Sequence, residues 1–239
     1  MRTLGGGDRL LLRKACMEGT RQTILQEIED AVNKVDGHNI IWIRGSPGVG
    51  KSALAASIST RLQDQGRRVI PFRFDRTEPA RITTEALWRV VACDLARWYP
   101  ALRQHLAKGI EGHISSDIDR LFKLLIETPL SALKDISDEE LAVIVIDALD
   151  ECGGLRHDES GKGDLRSLMR TLKRWIQADH LKKFKVVITS RPEDLSSFDL
   201  AQHLRRTQPY PGQCATRKML PTQMVNTFTC PSPHSIGSL

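Results

Sequence analysis

Residues 45–52 read Gly45-Ser46-Pro47-Gly48-Val49-Gly50-Lys51-Ser52, directly behind the apolar run Asn39-Ile40-Ile41-Trp42-Ile43. The pattern is GxxxxGK[ST], a phosphate-binding loop between a strand and a helix. Each fixed position has a physical task. The glycines let the backbone fold tightly, so successive N–H groups point inward and cradle phosphate oxygens. The helix that follows adds the positive end of its dipole. Lys51 is suited to reach the terminal phosphates as a mobile charge, and Ser52 to offer its hydroxyl oxygen to Mg2+. By chance the four fixed positions recur about once in a hundred chains of this length. The flanks argue against chance. The run before the loop is rich in β-branched and aromatic residues, as a buried parallel strand should be. The run after it, residues 53–62, carries Leu54, Ile58 and Leu62 at fourfold helical spacing, and Gly66 closes it. The expectation is a site for a nucleoside triphosphate with Mg2+.

Working outward, Thr20 or Thr23 can cap a helix running to about Val35, with Ile24, Leu25, Ile28, Val32 and Val35 as its apolar stripe. A second strand is expected over residues 68–74. Thr83 or Thr84 then opens a helix through Leu87, Val91, Leu95 and Trp98, broken at Pro100. A weaker helix covers about 117–127. Residues 141–146, Leu-Ala-Val-Ile-Val-Ile, form the most apolar run in the chain. Being continuous rather than alternating, it reads as a central strand buried on both faces. A polar segment to Gly163 reads as a mobile loop, followed by an amphipathic helix. Residues 185–189 form the fourth strand. Strands alternating with helices predict an α/β fold: a P-loop NTPase core, with a parallel sheet and helices on both faces.

Composition narrows the classes. The 239 residues suffice for one sizeable domain, and no run is long and apolar enough to span a membrane. Five scattered cysteines, odd in number and without a CxxC pair, point to free thiols in a reducing compartment, so the expected location is cytoplasmic. The net charge of +6 is mild and aromatics are scarce, which argues against a nucleic-acid groove. Much of the surplus falls on Arg166, Arg170, Lys173, Arg174, Lys182, Lys183 and Lys185, interleaved with apolar residues at helical spacing; this reads as a solvated helix face.

Two further elements bear on chemistry. Asp147 follows the apolar run, so it stands at the C-terminal end of a central strand, where open α/β sheets bind ligands. It is placed to hold Mg2+ opposite Ser52. Asp150 and Glu151, just beyond, are candidates to orient or deprotonate a water attacking the γ-phosphate. At the end of the fourth strand, Arg191 in Thr189-Ser190-Arg191 is a candidate to sense that phosphate through a bidentate contact.

Taken together, residues 45–52, Val145-Ile-Asp-Ala-Leu-Asp-Glu-Cys152 and Val187-Ile-Thr-Ser-Arg-Pro-Glu193 resemble a NACHT domain. The lead-in Cys16-Met-Glu-Gly-Thr-Arg-Gln-Thr-Ile-Leu25 is similar to that of fungal NACHT proteins, the group with heterokaryon-incompatibility and nephrocystin-3-like members. The resemblance runs over about residues 16–199. It implies a signal-transduction NTPase that works as a switch, resting with diphosphate bound and self-associating through the NACHT domain once triphosphate enters. By motif, Lys51 and Ser52 become the phosphate and magnesium residues, Asp147 the Walker B acid, Asp150 and Glu151 the hydrolytic acids, and Arg191 the sensor arginine. It also implies that the fourth strand lies between the phosphate-loop strand and the Walker B strand.

The expected organisation is a flexible N-terminus (1–15), a NACHT-type nucleotide-binding domain (16–200) and a poorly ordered tail (201–239) unlike the family, as in a fragment or truncated gene product. Slow hydrolysis of ATP or GTP at most is expected. The competing readings are a P-loop kinase, a nucleic-acid motor, or a nucleotide-binding module without turnover. A kinase would want an arginine-rich lid, for which Arg67, Arg68, Arg73 and Arg76 are poor candidates.

Overall fold

The structure is a computed structural model and describes residues 15–17, 19–34, 38–111, 117–133, 136, 140–154, 159–191 and 225–229. Its strands are β1 (Ile40–Arg44), β2 (Val69–Arg73), β3 (Val143–Asp147), β4 (Lys185–Ser190) and β5 (Val225–Thr229). They pair in parallel in the order β2-β3-β4-β1-β5. The fourth strand therefore lies between the phosphate-loop strand and the strand that ends in Asp147.

Successive strand residues face opposite sides of a sheet, and this alternation divides the interior in two. Ile40, Trp42, Ile70, Phe72, Ile144, Ile146, Val186 and Ile188 belong to one cluster, with Trp88, Phe122, Trp175 and Phe184. Ile41, Ile43, Val69, Val143, Val145 and Val187 belong to a second, with Leu25, Ile28, Leu54 and Ile58. Every residue of β3 is buried, which is why its sequence is continuously apolar. The helices α1 (Gln22–Asn33) and α2 (Lys51–Asp64) cover the second face; α3 (Thr84–Trp98) and α7 (Glu159–Gln177) lie on the first.

The parity has a consequence for the site. Val143, Val145 and Asp147 share one face of β3, and Val187 and Thr189 share the same face of β4. That face carries α2, the helix that follows the phosphate loop.

Local details depart from the sequence expectations in instructive ways. Neither Thr20 nor Thr23 caps α1. Its N-cap is Arg21, in the left-handed region at φ 58°, with no side-chain cap. Thr83 does cap α3, accepting the N–H of Ala86 at 3.1 Å. Pro100 ends α3 but also begins a further helix, α4 (Pro100–Glu111), because a proline at the first position gives up no helical hydrogen bond. The helix expected over 117–127 is α5 (Ile118–Phe122), capped by Asp117, which widens to π pitch over Lys123–Glu127 and continues into α6 (Thr128–Ser131). The segment read as a mobile loop up to Gly163 is helical from Glu159; residues 155–158 lie outside the described residues. The tail read as poorly ordered contains β5, which pairs with β1 from Ile40↔Val225 to Arg44↔Thr229. The rest of that tail, and residues 1–14, lie outside the described residues.

The helical face of the core is held by aromatics. Trp88 stacks on Trp175 with ring centroids 5.9 Å apart and meets the edge of Phe122 at 4.7 Å. The Trp88 indole N–H donates to Thr171 Oγ1 at 3.1 Å, so its polar atom is satisfied in the interior. Truncation of Trp88 to alanine is expected to cost about 3–5 kcal/mol through the cavity it leaves. Urea denaturation followed by circular dichroism measures it, and a loss under about 1 kcal/mol would mean that the surrounding rings collapse into the space.

Candidate functional site

The phosphate loop is built as its glycines require. Gly48 and Gly50 have φ 79° and 81°, values that side chains rarely adopt. Gly50 is the N-cap of α2, and its carbonyl accepts the first helical bond, from Leu54 N–H at 3.0 Å. The same carbonyl accepts a bond from Arg21 Nη1 at 3.0 Å, and a Cβ at Gly50 would collide with that guanidinium. Ser46, Pro47 and Gly48 are exposed, Val49 is buried, and Lys51 and Ser52 are half-buried in the first turn of α2. The Lys51 ammonium donates to the carbonyls of Gly45 at 2.6 Å and Ser46 at 2.9 Å, so it lies folded over its own loop. Gly45 is tied to the end of β4, its N–H donating to Ser190 O at 3.3 Å, and the Trp42 indole donates to Ser190 Oγ at 2.8 Å.

Asp147 is 0 % exposed. Its Oδ1 accepts the Thr189 hydroxyl at 2.6 Å, and that hydroxyl oxygen accepts the N–H of Ala148 at 2.9 Å. Thr189 thus fixes the carboxylate and the chain that leaves it. Ala148 itself is left-handed at φ 57°, and turns the chain sharply into Leu149–Glu151. Asp147 Oδ2 accepts no hydrogen bond among the described residues; Arg73 Nε stands 3.9 Å away, within ionic range but beyond hydrogen-bond reach. Arg73 comes opposite Asp147 by the register of β2 on β3.

The two acids beyond the strand take different partners. Asp150 accepts the backbone N–H of Arg191 at 3.1 Å and pairs with its Nε at 3.2 Å. Glu151 accepts the backbone N–H of Arg76 on Oε2 and its guanidinium on Oε1, both at 3.2 Å. Asp147 to Thr189 and Asp150 to Arg191 are thus two ties across the ends of β3 and β4, while Glu151 is drawn towards the exit of β2. Thr189, Arg73 and Arg76 were not assigned these roles from sequence. Thr189 was visible as a neighbour of Arg191, but only the parallel register of β3 and β4 brings its hydroxyl to Asp147.

The donor set suits Mg2+, which takes few protein ligands and completes its shell with phosphates and water. Asp147 Oδ2 is a buried carboxylate oxygen that accepts no hydrogen bond among the described residues, on the face that carries α2. Among the described residues no group of three or more His, Cys, Asp or Glu forms a metal cage of its own. Cys152 is buried, and burial above all pushes its thiol up to about 12, which makes it a poor ligand or nucleophile.

The basic run of α7 is largely spent within the molecule. Arg170 and Arg174 pair with Asp119 on α5, and Arg174 also pairs with Glu127. Lys185 is buried and donates to the carbonyls of Lys34 and His38. Among the described residues no helix is long and apolar enough to cross a membrane.

Residues 19–191 match the family described as Nephrocystin 3, N-terminal, and the chain belongs to that family. No curated protein matches it in sequence. Among solved structures it is similar to Drosophila ORC bound to DNA, at 13% identity and a TM-score of 0.50, over 89% of this chain and 43% of that one. It is also similar to the Aeropyrum pernix ORC2 protein in ADPNP-ADP complexes, at 15% identity and a TM-score of 0.45, over 79% of this chain and 46% of that one. A Walker-type ATPase of Pyrococcus abyssi aligns at 16% identity and a TM-score of 0.38, over 76% of this chain and 48% of that one. The chain spans less than half the length of each of these. The fold is that of the P-loop NTPases.

Replacing Thr189 by valine keeps the shape of the side chain and removes the bond to Asp147. The expected result is a loss of about 10–100-fold in Mg2+ affinity, as for other second-sphere partners. A Mg2+ titration of nucleotide binding reads it; an unchanged midpoint would show that Asp147 needs no such support.

Proposed function

We propose that this chain is the nucleotide-binding switch core of a NACHT-type signal-transduction protein, taking ATP or GTP with Mg2+ and hydrolysing it slowly. The observation that carries this is Asp147. A wholly buried carboxylate at the end of a central strand, held by Thr189 on one oxygen and, among the described residues, without a hydrogen bond on the other, suits a magnesium ligand facing a phosphate loop. Membership of the nephrocystin 3 N-terminal family supports the same reading.

In that reading the N–H groups of Gly48 and Gly50 and the N-terminus of α2 cradle the phosphates. Lys51 exchanges the carbonyls of Gly45 and Ser46 for the terminal phosphates. Ser52 and Asp147 hold Mg2+, which supplies neutralisation of the phosphate charge. Arg191 reads the γ-phosphate, and Asp150 positions Arg191 through its backbone N–H and guanidinium. Glu151 is the acid left to accept a proton from the attacking water: the water oxygen bonds to phosphorus as the bond to the leaving diphosphate breaks. The phosphate and metal groups touch no base, so ATP and GTP are served alike. Self-association of the domain and a cytoplasmic location belong to the same proposal.

The test pairs a binding titration with a turnover assay. Lys51→Ala is expected to abolish Mg2+-dependent triphosphate binding. Glu151→Gln is expected to bind triphosphate as wild type does and to hydrolyse it about 100-fold more slowly or less. No binding by wild type at millimolar nucleotide overturns the proposal. Wild-type turnover in Glu151→Gln moves the proton-accepting role to Asp150.

A further inference from the structure

The acids at the end of β3 are each matched to an arginine. Arg73 faces Asp147, Arg191 holds Asp150, and Arg76 holds Glu151. The last pair falls on the group proposed to take the water proton. Like Asp150 with Arg191, Glu151 receives two N–H donors from one residue, the backbone on Oε2 and the guanidinium on Oε1. A carboxylate engaged on both oxygens, once by a cation, is a poor acceptor for a water proton. The contact is also anchored in the backbone. Phe74 N–H donates to Asp147 O at 3.0 Å, Gly153 N–H donates to Ile82 O at 2.6 Å, and a Cβ at Gly154 would come to 3.3 Å from the Ile82 side chain. The turn of residues 148–154 is therefore knitted to the segment leaving β2, and Arg76 closes that seam over Glu151.

We propose that Arg76 is a positioning residue that latches Glu151 away from the attacking water, so that hydrolysis requires the guanidinium to let go. The proposal rests on the NTPase reading above. It gives the slow turnover a cause in this chain: the acid is present but held. Asp150 does not substitute, because its side chain is 5% exposed and committed to Arg191. The chain runs from the phosphate loop through α2 and residues 65–68 into β2, whose exit carries Arg76.

Arg76→Ala removes the guanidinium and keeps the backbone N–H bond to Oε2, so the turn stays in place while Oε1 is released. Turnover at saturating triphosphate is expected to rise about tenfold, the worth of one charge-assisted hydrogen bond, with triphosphate still bound. Arg76→Lys, which keeps a cation, is expected to return turnover towards wild type. In Arg76→Ala with Glu151→Gln the rise is expected to vanish, because it runs through Glu151. A merely structural contact would not give that dependence. The latch is overturned if Arg76→Ala binds triphosphate normally yet turns over no faster than wild type, or if the rise survives in the double variant. Failure of wild type to bind triphosphate overturns the NTPase reading instead, and the latch with it. Loss of binding in Arg76→Ala alone would assign Arg76 to the folding of the site and also overturn the latch.

Discussion

One buried carboxylate constrains this molecule more than any other group. Taking a charge wholly out of water costs several kcal/mol unless partners replace the lost solvation. Asp147 is 0 % exposed, and its only hydrogen-bond donor among the described residues is the Thr189 hydroxyl. That bond exists because β4 inserts between β1 and β3 and lies parallel to both. Shifting β4 by one residue would turn Thr189 to the opposite face, and reversing it would carry Thr189 to the other end of the sheet. The topology, the register and the polar centre therefore depend on one another.

The same register explains why the two cores differ. The face carrying α2 is lined by valine and isoleucine from β1, β3 and β4, and packs a helix with small residues such as Ala55 and Ala56. Close approach of α2 to the sheet brings the first turn of that helix to the strand ends. The opposite face takes the bulk of the aromatics, Trp88, Trp175, Phe122 and Phe184 among them, under several short helices.

Much of this was legible in the chain itself. The phosphate loop announces its own geometry, because glycine at positions 48 and 50 is what φ near 80° requires. The apolar run of β3 announces burial on both faces. Other features were not legible, for reasons that are local. Pro100 reads equally as a helix stop and as a first helical residue, and the structure uses it as both. β5 carries Asn226 and two threonines in a proline-rich surrounding, so pairing with β1 rather than local pattern makes it a strand. Arg21 caps α1 in a left-handed conformation that no residue preference would select; it is held there by contact with Gly50. The arginines on the acids are invisible for the same reason. Arg73 meets Asp147 across 74 positions of chain only through strand pairing, and Arg76 looks in sequence like any exposed residue of a turn.

Charge balance gives these arginines a common rationale. A triphosphate is strongly anionic, and three carboxylates beside it would repel it by several kcal/mol in a partly desolvated site. Asp147, Asp150 and Glu151 are each opposed by a guanidinium. The acids are thereby neutralised in pairs, which leaves the Lys51 ammonium, the Arg21 guanidinium and the dipole of α2 as the attractive field at the loop. The pairs differ in how tightly they close. Arg191 and Arg76 touch their acids at hydrogen-bond distance, whereas Arg73 stands off Asp147 at 3.9 Å. A cation placed against Asp147 Oδ2 must compete with the looser arginine and not with a formed hydrogen bond. In the proposed reading the metal-binding acid is thus the one whose internal counter-charge is easiest to displace, while Asp150, which positions the sensing arginine, and Glu151, the proton acceptor, are held by theirs.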